Sequence, residues 1–275
     1  MSKLYISDLD GTLLNNDSVL SDYTVKSLNK LIEEGMIFSI ATARTPATVV
    51  NLFERVNIKV PVALMNGAVI YDIKNKKYID VRSFEKSTAE KIIEVLEENY
   101  VSAFMYTIED NYLNVYYKSL TNRLEKSFVK ARLNTGFKTF IQCQGYNEFL
   151  KEGNSILFSV MDEYSKLEIL NESLQEISGI SSFCYRDIFD KEYGYLEIYS
   201  KDTSKAKAIE RLCDIIGTDE IISFGDNIND LPMFEISKEC YAVGNAVDAA
   251  KEIADDVIDS NEKDGVVKFL LNQRI

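Results

Sequence analysis

Apolar residues follow two rhythms along this chain, and the change of rhythm marks its organisation. In residues 1–82, short unbroken apolar runs alternate with stretches that are apolar only at helical spacing. The runs are KLYIS (3–7), MIFSIAT (36–42) and VPVALMN (60–66). Unbroken runs of this length fit strands covered on both faces. Between them, SDYTVKSLNKLIEEG (21–35) places Val25, Leu28, Leu31 and Ile32 on one helical face, with Ser21 to cap it and Gly35 to end it. PATVVNLFERV (46–56) reads as a second helix opening at Pro46. The rhythm returns in residues 194–275. SKAKAIERLCDIIG (204–217) is a helix with Ala206, Ile209, Leu212, Cys213 and Ile216 on one side and Gly217 as its stop. IISFGD (221–226) and CYAVGN (240–245) are further strands, and DAAKEIA (248–254) and DGVVKFLLNQ (264–273) further helices. Strand–helix alternation predicts an α/β core with a parallel sheet and right-handed crossovers.

Residues 83–193 have another texture. Aromatic residues are frequent, and NYLNVYYKS (111–119) and SILFSVMDE (155–163) alternate with a period of two, as strands of an antiparallel sheet with one exposed face do. STAEKIIEVLEENY (87–100) supplies a covering helix with Ile92, Val95 and Leu96 inward. The expectation is an α+β domain inserted into the parallel one.

Composition narrows the function. A net charge of −13 and a pI near 4.7 disfavour coating of nucleic acid or of an anionic membrane. The N-terminal residues carry no signal-peptide pattern and no run is long enough to span a bilayer, which predicts a cytoplasmic protein. Four scattered cysteines form no CxxC pair and read as reduced thiols. The chain has no histidine, so catalytic triads, phosphohistidine chemistry and histidine-ligated zinc are excluded. A metal, if used, is a hard ion held by oxygen.

Parallel sheets bind ligands outside the carboxyl ends of their strands. Here those ends are polar: Asp8; Thr42 with Arg44 close behind; Asn66-Gly67; Gly225, Asp226, Asn229 and Asp230; and Gly244-Asn245. Plainer readings exist for each. Asp10-Gly11 and Asn66-Gly67 are common turn pairs, the acids of GDNIND can cap a helix, Thr42 can be an N-cap, and Lys205 can be a surface lysine. Their common placement at one sheet edge favours a single crevice. Asp8, ordinarily titrating at about 3.9, is ionised at neutral pH and is a ready nucleophile for a phosphoryl group. Mg²⁺ held by Asp8, a backbone carbonyl near Asp10 and Asp226 would cancel the repulsion between two anions, with Lys205 adding positive charge. Thr42 and backbone amides would donate to the equatorial oxygens. Asp10, beside a flexible glycine, would protonate the leaving oxygen and then activate water.

At these residues the sequence resembles the haloacid dehalogenase (HAD) superfamily, specifically its Cof-type phosphatases with a type IIB cap. The matching stretches are DLDGTLL (8–14), ATAR (41–44), NGA (66–68), TSKAKAIERL (203–212), FGDNINDLPMF (224–234) and VGNAVDAAKEIADDVIDSNEKDGV (243–266). The resemblance implies a Rossmann-like core, residues 1–82 and 194–275, and a cap, 83–193, that sets specificity. It implies Asp8 as nucleophile and Asp10 as acid/base. Thr42, Arg44, Asn66, Gly67, Lys205 and Asn229 would bind phosphate or substrate. Asp8, Asp10, Asp226 and Asp230 would serve the metal, with Asn229 and Asp230 in support. Two motifs depart from the family pattern: TARTP, with Ala43 and Thr45, and the lysine motif, with Ala206 after the lysine. The expected activity is Mg²⁺-dependent hydrolysis of small phosphomonoesters, such as sugar phosphates, nucleotides or pyridoxal phosphate, by a monomer or homodimer. A phosphomutase of the same superfamily and a phospho-aspartate signalling module remain as alternatives. Asp10 and the insert argue against the second.

Overall fold

The computed structural model describes residues 3–133, 136–187, 190–201 and 203–273. They form two compact units, one from the residues up to Asp80 together with those from Ser204 onward, the other from Val81–Thr203. The fold is α/β with a parallel-sheet core and a second sheet in the insert. No helix among the described residues is long and apolar enough to cross a membrane.

The first unit begins with β1 (Lys3–Ser7), α1 (Asp22–Glu33), β2 (Ile37–Ile40) and α2 (Pro46–Leu52). Ser21 caps α1 by accepting the Thr24 N–H at 2.9 Å. A hairpin of β3 (Val62–Leu64) and β4 (Val69–Asp72) follows, then β5 (Lys77–Val81). The second unit holds α3 (Lys86–Glu98), β6 (Phe104–Glu109), β7 (Tyr112–Tyr117), α4 (Arg123–Lys130), β8 (Lys138–Gln142), β9 (Ser155–Glu163), α5 (Tyr164–Leu174), β10 (Ile180–Arg186) and β11 (Tyr193–Ser200). The chain then returns through α6 (Lys205–Ile216), β12 (Glu220–Gly225), α7 (Leu231–Glu235), β13 (Glu239–Val243), α8 (Asp248–Ile253), β14 (Asp256–Ile258) and α9 (Gly265–Asn272).

The core sheet runs β14-β13-β12-β1-β2, all parallel. β1 is its centre: Leu4 and Ile6 are fully buried, and Ser7 lies between Ile40 and Phe224 in register. The strand expected over 60–66 does not join this sheet as a full member. β3 touches β2 through one parallel bridge, Ala41 with Ala63, and pairs antiparallel with β4 in a separate three-stranded sheet. Its first neighbour, Pro61, has no N–H to give a ladder, and the turn at Met65–Gly67 folds the chain straight back. α2 stops at Leu52, short of the expected Val56. On α6 the buried face contains Ala208 instead of Ala206, and Ile216 is only half-buried. β14 was not foreseen: it is three residues long and its own side chains are largely exposed, so it lacks an apolar signature.

In the second unit the sheet order is β10-β11-β9-β6-β7-β8. α3 and α5 cover one face, with Ile92, Leu96, Leu167 and Leu170 against Met105, Phe158 and Leu196. Val95 is only half-buried and Ile93 takes its inward place. β9 differs from its alternating reading, being buried from Ser155 through Met161. It is a central strand, and the opposite face of the sheet is partly covered by α4, whose Phe128 packs on Phe104 and Phe140 with centroids 5.2 and 5.9 Å away. The sheet is antiparallel except for β7 and β8, which are parallel because α4 crosses over between them. Tyr193, placed by the sequence at the edge of the insert, begins β11, which pairs with both β9 and β10 inside this unit.

Candidate active site

Asp8 stands where β1 ends, its backbone N–H donating to the Phe224 carbonyl at 2.9 Å. The chain then makes a tight π-turn over Leu9–Leu13. Gly11 occupies it at φ +80°, and a Cβ there would lie 2.6 Å from Asp226 Oδ2, so only glycine fits. Thr12 Oγ1 donates to Asp226 Oδ1 at 2.7 Å, tying the turn to the end of β12. Lys205, the first residue of α6, donates from Nζ to Asp8 Oδ1 and to Asp230 Oδ1, both at 2.6 Å. The three side chains are 1%, 9% and 0% exposed. Asp230 Oδ2 accepts the backbone N–H groups of Asp226 and Asn227 at 2.9 and 3.1 Å. Carboxylate oxygens of Asp8, Asp226 and Asp230 lie within 4.8 Å of one another.

The electrostatics are unbalanced toward negative charge. Burial pushes the Asp8 carboxyl up to about 8 against the pull of Lys205, and Asp230 and Asp226 add to the rise. Burial likewise raises Asp226 to about 6, with Thr12 opposing and Asp230 assisting. Lys205 is raised: its two carboxylates outweigh the burial that opposes its charge. One ammonium therefore serves three clustered acids. An additional cation is the natural complement, and the donor set of hard oxygens suits a divalent one such as Mg²⁺. The fit is best for Asp8 and Asp226; Asp230 has both oxygens engaged and acts as a buried brace.

A haloacid dehalogenase-like hydrolase model matches residues 5–270. The chain belongs to that family. Among relatives of this haloacid dehalogenase-like hydrolase, a putative phosphatase of Buchnera aphidicola subsp. Schizaphis graminum is 30% identical over 275 residues, covering 98% of this chain and 95% of that one. The pyridoxal phosphate phosphatase YbhA of Escherichia coli K12 is 25% identical over 272 residues, covering 98% and 97%. The crystal structure of TM0651 from Thermotoga maritima superposes with a TM-score of 0.79 at 25% identity, covering 100% of this chain and 98% of that one.

The remaining expected site residues of this hydrolase divide into two groups. Thr42 is buried beside β3, its N–H donating to Ala63 and its Oγ1 accepting the Arg44 N–H at 3.2 Å, which leaves the hydroxyl proton to donate elsewhere. Arg44 grips Asp10 in a bidentate pair, Nε to Oδ2 at 2.7 Å and a terminal nitrogen to Oδ1 at 2.5 Å. The Asp10 carboxylate thus faces Arg44 and stands outside the Asp8–Asp226–Asp230 cluster. Asn66 donates its N–H to the Thr42 carbonyl at 3.1 Å. Gly67 gives its carbonyl to Arg211 at 2.7 Å and packs against the start of α6. Asn229 is exposed and makes none of the hydrogen bonds that join the cluster.

Three braces were not named as functional from the sequence. Thr12 lies inside the quoted DLDGTLL stretch, but its role needs Asp226 in view. Asn245, noted only as a polar strand end, donates Nδ2 to the Gly11 carbonyl at 2.7 Å. Asn261 donates its N–H to Asn245 Oδ1 at 3.0 Å and its Nδ2 to the Leu14 carbonyl at 3.0 Å. Nothing local in the sequence signals Asn261.

Proposed function

We propose that this phosphatase hydrolyses small phosphomonoesters with Mg²⁺ through a phosphoryl intermediate on Asp8. The observation that carries the reading is the buried Lys205–Asp8 pair at 2.6 Å, set at a strand end beside Asp226. One Asp8 oxygen attacks phosphorus, and the bond from phosphorus to the leaving oxygen breaks. Asp10 gives that oxygen its proton. Asp10 then takes a proton from water as the water oxygen attacks the phosphoryl group, releasing phosphate and restoring Asp8. Thr42 and Lys205 hold the phosphoryl oxygens. Mg²⁺ bound by Asp8, Asp226 and a carbonyl of the Asp10 turn would offset the negative charge of the phosphoryl group. Arg44, now paired with Asp10, is placed to keep that carboxylate oriented until substrate enters.

The name of the Escherichia coli relative supports a small phosphorylated metabolite as the substrate class. Residues of the inserted unit set specificity in this reading, and the four free cysteines suit a cytoplasmic enzyme. The test is phosphate release from para-nitrophenyl phosphate and a metabolite panel, with and without chelator. Release that depends on Mg²⁺ is expected. Release that survives exhaustive chelation removes the metal, no release from any ester removes the reading, and turnover only with a bisphosphate primer makes the chain a mutase.

A further inference from the structure

Asn261 opens a short 3₁₀ turn, Asn261–Lys263, just ahead of α9, and is 5% exposed. A buried carboxamide needs hydrogen-bond partners, and this one finds them on the segment that follows β1. Its Nδ2 donates to the Leu14 carbonyl at 3.0 Å and to Asn16 Oδ1 at 3.2 Å. Its backbone N–H donates to Asn245 Oδ1 at 3.0 Å. That bond decides which end of the Asn245 amide points where: Oδ1 is spent on Asn261, so Nδ2 faces the Gly11 carbonyl, at 2.7 Å.

Asn261 thereby governs two carbonyls of one turn. The Leu14 N–H closes that turn onto the Leu9 carbonyl at 2.9 Å. Inside it, Asp10 and Gly11 leave helical geometry, with ψ 118° at Asp10 and φ +80° at Gly11. Glycine has no Cβ to resist rotation of its peptides, so the direction of Asp10 depends on what grips the turn from outside. Thr12 ties one side to Asp226, and Asn245 and Asn261 hold the other. The second grip has a firm base. The Ser260 carbonyl accepts the N–H groups of Lys263 and Gly265 at 3.0 and 3.1 Å. Glu262 Oε1 accepts the Asn16 N–H at 2.6 Å, and Asp264 Oδ1 accepts the hydroxyls of Ser21 and Thr24 at 2.5 and 2.9 Å. All of these residues belong to the first unit.

We propose that Asn261 is a positioning residue for Asp10, acting directly on the Leu14 carbonyl and, through Asn245, on the Gly11 carbonyl. On the phosphatase reading, on which this assignment rests, Asp10 protonates the leaving oxygen. Proton transfer needs the acid within hydrogen-bond reach, and a misplacement of about 1 Å costs on the order of a hundredfold. An alkoxide leaves only with that proton, whereas para-nitrophenolate leaves without one. Loosening the turn therefore slows alkyl esters selectively. A brace that served stability alone would slow both esters alike.

Two measurements on the full chain test the assignment. The first compares kcat/KM for glycerol 3-phosphate and para-nitrophenyl phosphate, since kcat/KM reports the steps up to departure of the leaving group. Asn261→Ala should lower the first by about tenfold and leave the second within about twofold. Equal change in both, or no change in either, overturns the proposal. The second measurement is amide hydrogen exchange of metal-free protein, read by mass spectrometry. A peptide spanning residues 9–14 should exchange about tenfold faster in the variant, while one spanning β2 keeps its rate. A uniform rise across both peptides, or an unchanged rate at 9–14, overturns the grip on the turn. If the wild type hydrolyses neither ester, the phosphatase reading fails and the exchange comparison alone decides the grip. If Asn261→Ala does not fold, Asn245→Asp carries both comparisons: Asn245 is exposed, and a carboxylate there still accepts the Asn261 N–H but turns an oxygen toward the Gly11 carbonyl.

Discussion

Replacing Lys205 by methionine removes the cation that pairs with two buried acids, Asp8 and Asp230, and the structure sets the size and pH dependence of the result. Nζ stands 2.6 Å from both Asp8 and Asp230. Methionine fills the volume of the stem but leaves two carboxylates without a counter-charge. Breaking a buried ion pair from one side costs about 3–5 kcal/mol. That is a large part of a typical total of about 5–15 kcal/mol. The cost is not uniform in pH. Asp8 already sits at about 8 with Lys205 present, so without it the carboxyl escapes part of the penalty by taking a proton. A folded value raised above the ordinary one adds stability at low pH and loses it as pH rises through the folded value. The variant should therefore lose about 3–5 kcal/mol at pH 8.5 and clearly less at pH 5. Urea unfolding of metal-free protein, followed by far-ultraviolet circular dichroism at both pH values, reads the difference. A variant as stable as the wild type at pH 8.5, or one hurt more at pH 5, refutes the reasoning.

Gly67→Ala places a Cβ 2.1 Å from the Ser204 carbonyl at a backbone φ of +95°, and should cost at least about 3 kcal/mol in a thermal melt; an unchanged melt contradicts the packing. Metal-free protein should lose stability as pH rises through about 6 and then about 8, because Asp226 and Asp8 both have folded values above the ordinary carboxylate. Added Mg²⁺ should restore the melting temperature at pH 8.5, and a metal-free melt that rises from pH 5.5 to pH 8.5 would sink that account. Asn245→Ser releases the Gly11 carbonyl that fixes the Asp10 turn. It should lower kcat/KM by about tenfold for an alkyl phosphate, whose leaving oxygen needs a proton, with little change for para-nitrophenyl phosphate. Equal losses on the two esters would mean that Asn245 does not act through Asp10.

The place of Asp8 was legible because an apolar strand that stops abruptly at an acid is a local signal: β1 is buried up to Ser7, and Asp8 follows. Ser21, Gly217 and Pro46 likewise act within one turn of their own helices, and all three fall where the pattern puts them. What stayed hidden depends on contacts distant in sequence. Asp230 reads as an acid in a loop, yet it is fully buried because Lys205 and two backbone amides enclose it. Arg44 reads as a substrate contact, while the structure gives its fork to Asp10. β3 carries the apolar run of a sheet member, but one bridge is all it makes to β2, since its ladder is spent on β4. β9 alternates in sequence and is buried in fact, because its polar members Ser155 and Ser159 are small enough to be covered on the face that α4 helps to close.

The central claim is that phosphorus becomes bonded to Asp8 during turnover. Sodium borohydride reduces an acyl phosphate to an alcohol, so an intermediate on Asp8 converts that residue to homoserine. The enzyme is mixed with Mg²⁺ and an excess of para-nitrophenyl phosphate, quenched into borohydride, digested and mapped by mass spectrometry. The account predicts homoserine at position 8, dependent on substrate and on metal, and none at Asp10, Asp226 or Asp230. Turnover that leaves Asp8 unreduced while another acid is converted, or that yields no reduced acid at all, contradicts it.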